Sequence, residues 1–142
     1  MKILSCILAA LFSWAALIAN ADDYIAPEGV TVLTEEQLMT QVIGNTYLGG
    51  KKFVEYFEPP TGGNKEGRIK GKHRRTGLYG GNWKISGSLM CWEYDDPKSA
   101  AYNDCFTTAL DGDIVNLYTV RGNIHSDIAG TITLAPGNPK NL

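Results

Sequence analysis

The chain has 142 residues, 44% of them hydrophobic and 20% charged, with a formal net charge of −2. That is close to the usual size of one domain and is enough chain for one real core. The charge is too small to name a partner by itself.

The first residues predict export. Lys2 is a minimal basic start, Ile3 to Ile18 is apolar without a charge, and Ala19-Asn20-Ala21 places small residues where a signal peptidase reads. Residues 1–21 are therefore read as a signal peptide cleaved before Asp22. The competing reading is an uncleaved anchor, but the run is marginal for a span and lacks basic flanks. No other segment is apolar enough for a bilayer, so no transmembrane span is expected in the mature chain. Of the three cysteines, Cys6 leaves with the leader, and Cys91 and Cys105 remain in an oxidising periplasmic or extracellular compartment. A bridge between them closes a loop of about 15 residues, worth roughly 3 kcal/mol in the chain-entropy picture. Two separate buried thiols are the alternative.

Residues 22–32 read as a flexible, polar lead-in, and residues 33–142 as a single β-rich domain. An N-terminal α-helix is predicted from Leu33 to a Gly44 stop. Thr34 and Gln37 have capping-box spacing, Leu33 and Leu38 have staple spacing, and Glu35 and Glu36 suit the first turn. Strand-like runs follow: Lys52 to Glu58, Gly67 to Arg75, a run through Trp83 and Ile85, Leu89 to Tyr94, Asn103 to Leu110, Ile114 to Val120, and Ile124 to Leu134. Ser86-Gly87, Asp111-Gly112 and Arg121-Gly122-Asn123 are the turn signals between them. The expectation is mainly β: one helix, then an antiparallel meander of about seven strands forming a small barrel or sandwich.

Three sets of residues are candidates for chemistry. Lys65 to Arg75 holds six of the thirteen lysines and arginines, and at strand spacing Arg68, Lys70, Lys72 and Arg74 share one face. Such a row suits anion binding, for example at an anionic envelope surface, or serves as a charged edge that blocks strand pairing. It lacks the interleaved aromatics of a single-stranded nucleic-acid platform, so nucleic acid is not an expected partner. The aromatics are the second set. Most belong in a core, while Tyr79, Trp83, Trp92 and Tyr94 are the candidates to line a barrel mouth that holds a small apolar ligand. The third set is weak. His125-Ser126-Asp127 has triad residue types, but strand neighbours face opposite ways. The acidic pairs around Asp95 and Asp111 lack a calcium-loop pattern. No catalytic residue, metal site or cofactor is assigned.

A wider pattern joins these pieces: a helix ending in Gly44-Asn45-Thr46, then Glu55-Tyr56-Phe57-x-Pro59, Gly67-Arg68-Ile69, Gly81-x-Trp83, Leu89-Met90-Cys91-Trp92 and a second cysteine. It resembles small exported proteobacterial proteins of uncharacterised function. The resemblance implies a bacterial periplasm and carries no activity. Asn82 stands where threonine is commoner in that pattern. The leading functional expectation is a non-enzymatic binding or accessory domain of the bacterial cell envelope. The alternative is a secreted protein inhibitor of a host or competitor enzyme, comparable to small β-barrel lysozyme inhibitors, presenting the Asp95 to Tyr102 loop. A carboxylate-based hydrolase ranks last.

Overall fold

The computed structural model describes residues 26–119, 122–123 and 130–142, the 122–123 pair by backbone only. The leader, its cleavage motif and His125-Ser126-Asp127 lie outside the described residues.

The helical segment begins where its cap predicts. The Thr34 hydroxyl accepts from the Gln37 N–H at 3.3 Å, and Gln37 Oε1 accepts from the Thr34 N–H at 2.9 Å, so both halves of the capping box form. Its extent differs from the expected helix. Only Glu35–Gln37 (α1) is α-helical, and Leu38–Val42 is π-helical, closed by Ile43 N–H donating to Leu38 O at 3.1 Å. The wider turn suits packing, since Leu38 and Val42 are both fully buried. Nor is the helix an N-terminal arm. The chain before it already docks, with Leu33 buried and its N–H donating to Thr108 O at 2.7 Å.

Among the described residues nine strands follow: β1 (Thr46–Gly49), β2 (Phe53–Phe57), β3 (Glu66–His73), β4 (Gly77–Ser86), β5 (Leu89–Tyr94), β6 (Asp104–Asp111), β7 (Ile114–Thr119), β8 (Gly122–Asn123) and β9 (Ile132–Ala135). All their pairings are antiparallel. Each of β1 to β7 pairs with the next, and β9 pairs with both β7 and β1, which closes the sheet. The two-residue β8 lies on β7 beyond β9. The result is a closed barrel of eight staves rather than the expected seven or so strands. The stave absent from the sequence reading is β1, a four-residue strand running straight into Gly49-Gly50.

Alternation sorts the strands into an inner and an outer face. Phe57, Ile69, Trp83, Ile85, Met90, Trp92, Phe106, Val115, Leu117 and Ile132 point inward and form the core. The helical segment closes one end, adding Leu38, Val42 and Ile43 to that core. Trp83 belongs to this closed end, its Nε1–H donating to Glu58 O at 3.0 Å. The opposite end carries the β1–β2 turn, the β3–β4 turn and a 3-10 turn, Pro97–Tyr102, between β5 and β6. None of the described helices is long and apolar enough to cross a membrane.

Candidate functional site

The inner face of β2 reads Phe53, Glu55, Phe57, so a carboxylate sits where the pattern asks for an apolar side chain. Glu55 is 2% exposed. Its Oε1 accepts two phenol hydrogens, from Tyr79 at 3.0 Å and from Tyr94 at 2.7 Å. Oε2 accepts no hydrogen bond from the described residues. Burial pushes the Glu55 carboxyl up to about 7, against the lowering effect of the two hydrogen bonds. Burial, followed by the Glu55 charge, raises the Tyr79 and Tyr94 phenols, so both remain proton donors.

Glycines on the same inner face set the two tyrosines in place. Gly71 is the β3 partner of Tyr79, and Gly81 is the β4 partner of Tyr94. A Cβ on Gly71 would lie 2.1 Å from Tyr79 Cζ, so the ring lies flat over bare backbone. A Cβ on Gly81 would lie 2.7 Å from Glu93 O and 3.2 Å from the Tyr94 ring. Glycine opposite an aromatic lets the ring lie along the barrel wall, and the wall therefore takes up less of the lumen. The two tyrosine rings meet edge to face with centroids 5.6 Å apart.

The lumen that remains is a cavity of about 600 Å³ at the end opposite the helix. Phe53, Glu55, Tyr79, Trp92, Tyr94, Phe106, Leu117 and Ile132 form its depth. Lys52, His73 and Thr76 border it on one side, and Asp96, Lys98, Tyr102 and Asp104 on the other. That volume falls within the range of small-molecule sites, and an eight-stranded barrel is wide enough to hold one such ligand. Trp92 lies on the cavity wall, tilted at 43° against Phe106 with centroids 4.4 Å apart. Its buried Nε1–H has no hydrogen-bond partner among the described residues. The Tyr47 and Thr108 hydroxyls, buried beside one another, also lack a partner of good geometry.

Of the four aromatics singled out in the sequence, Tyr79, Trp92 and Tyr94 line this cavity. Trp83 does not. It fills the closed end and borders a groove of about 680 Å³ on the outer wall beside the cysteines. The basic row is divided. Arg68 and Lys70 project from the outer face of β3, but Arg68 pairs with Asp95 and Lys70 with Glu58. Lys72 is exposed on the same face, while Arg74 falls beyond the strand in the β3–β4 turn. β3 is paired on both sides, so edge protection does not account for the row. Cys91 and Cys105 are opposed in the β5–β6 ladder and bridged. No group of three or more metal-ligating side chains occurs among the described residues.

Glu55 was missed in the sequence although the signal was present. In FVEYF, strict alternation puts the glutamate on the face of both phenylalanines. No protein-family model, curated protein or solved structure matches this chain.

Proposed function

We propose that the protein is an exported, non-enzymatic binding domain of the bacterial cell envelope that holds one small, mostly apolar ligand in the open end of its barrel. The observation that carries this reading is the 600 Å³ cavity with aromatic walls and a single deeply buried carboxylate. Packing alone would favour filling that space. Glycine opposite Tyr79 and Tyr94 has the reverse effect and keeps it open. The export component rests on the leader and agrees with a bridged cysteine pair.

An inhibitor presenting the Asp95 to Tyr102 loop has one observation in its favour, the 63% exposure of Tyr102. Yet Asp96, Lys98, Ser99 and Ala101 of that loop border the cavity as well, so the binding reading accounts for the turn too. A glycosidase would need a second carboxyl at a fixed separation. The groups hydrogen-bonded to Glu55 are phenols, and the other carboxyls at the cavity, Asp96 and Asp104, stand at its rim.

The test uses N-phenylnaphthylamine, a neutral dye that brightens on leaving water. Saturable one-to-one binding is expected for the mature chain, with loss in Leu117→Trp, which fills the cavity floor. No saturable signal, or an equal signal from the filled variant, would overturn the reading.

A further inference from the structure

We infer that the ligand carries a protonated amine, seated against Oε2 of Glu55, with its apolar body among the aromatic walls. This deepens the binding reading above and rests on it. Burying a carboxylate without a cation is unfavourable, and such groups are ordinarily paired. The ion pairs among the described residues are Lys65–Glu35, Arg68–Asp95 and Lys70–Glu58, all of them at the surface. Glu55 is in none of them. Among the described residues, the hydrogen-bonding neighbours of its carboxylate are two neutral phenols, both on Oε1, which leaves the second oxygen open.

The surroundings favour a cation over other polar groups. Phe53, Tyr79, Trp92, Tyr94 and Phe106 border the cavity, and ring faces attract an ammonium group most strongly where water is excluded. Among the described residues at the rim, Lys52 and Lys98 are matched in number by Asp96 and Asp104, so of these groups the buried carboxylate sets the sign of the interior. The exposed Lys51, Arg74 and Arg75 stand outside the lining, where salt screens them over roughly 8–10 Å.

The same geometry couples binding to a proton. Glu55 is faced by Tyr47 from β1, Tyr79 from β4 and Tyr94 from β5, with Lys52, His73, Asp96, Lys98 and Asp104 around the rim. Its carboxyl, held up to about 7 by burial, ionises when the ammonium arrives and releases its proton to solvent. Affinity for an amine therefore rises with pH across that value, while affinity for a neutral analogue stays level.

Three probes of one size decide the matter: naphthylethylamine, naphthylethanol and naphthylacetic acid, each titrated into the mature chain while the Trp92 Nε1–H resonance is followed by NMR. The amine is expected to bind about tenfold or more tighter than the alcohol near pH 8, as a charge-assisted contact should, with the advantage shrinking towards pH 6. Glu55→Gln keeps an acceptor for both phenols and should erase the advantage, leaving the alcohol within about twofold. The pH series on the unaltered chain tests the same point should that variant fold poorly. Equal binding of amine and alcohol would overturn the inference. So would tightest binding of the acid, which would assign recognition to Lys52 and Lys98 and leave the binding reading standing. Failure of all three probes would remove both.

Discussion

With its carboxyl pushed up to about 7, Glu55 holds a proton more tightly in the folded chain than in the unfolded one, where a glutamate titrates near its ordinary 4.5. The sign follows. Below both values the group is neutral in either state and affects nothing. As pH rises between them the unfolded chain loses its proton first, so stability falls and levels off above about 7. The full loss is about 3 kcal/mol at most. Glu55→Gln should therefore match the original chain in urea melts near pH 4 and exceed it near pH 8, and equal midpoints at both would mean the carboxyl is not desolvated. Tyr94→Phe removes a donor that favours the ionised form. Carbon NMR of the Glu55 carboxyl should then show its titration moved to higher pH, and an unmoved midpoint would place the phenol elsewhere. Both residues lay on readable faces. What the sequence did not contain was the meeting of β2, β4 and β5 side chains on one oxygen, because β3 separates β2 from β4 and Tyr79 reaches Glu55 only by lying across Gly71, which the register sets between them.

At the level of elements, local rules carried furthest where one residue decides the geometry. The Thr34 cap, the Ser86-Gly87 turn and the alternation of Trp83 with Ile85 were legible because each depends on near neighbours. Thr34→Ala should lower stability by roughly 0.5–2 kcal/mol, read as a shifted melting midpoint, since it leaves the Gln37 N–H without its acceptor. The π-helical stretch from Leu38 was not legible, because it reflects how those side chains fit the barrel end. The same holds for the basic row. Spacing placed Arg68 and Lys70 on one face, but only the folded sheet puts Asp95 and Glu58 against them. The Cys91–Cys105 bridge joins β5 to β6 on the outer wall of the barrel. Replacing both by alanine should cost about 2–5 kcal/mol, measured by denaturant titration. Thiol titration of the unfolded, unreduced mature chain should find no free sulfhydryl, and two free thiols would remove the bridge from the account.

At the scale of the molecule, the mainly β class and the meander followed from the regular spacing of turns, whereas closure did not. Closure depends on β1, too short to stand out, and on its pairing with β9, as in Thr46↔Ala135. The Thr46 hydroxyl adds a 2.6 Å hydrogen bond to Gly137 O at the same seam. Strands so far apart in the chain leave no local pattern. A chain cut after Gly130 should unfold less cooperatively and self-associate, because it would leave β1 with an unpaired edge. A monomer with an unchanged melting midpoint would contradict this. The seam also sets an order of events. A protein threaded through a membrane from its N-terminus can build the staves from β1 to β7 as they emerge. The ring stays open until its last described strand arrives, and the pocket takes its final walls only then. Under the export and binding proposed above, a ligand that needs those walls is acquired only on the far side, after passage is complete.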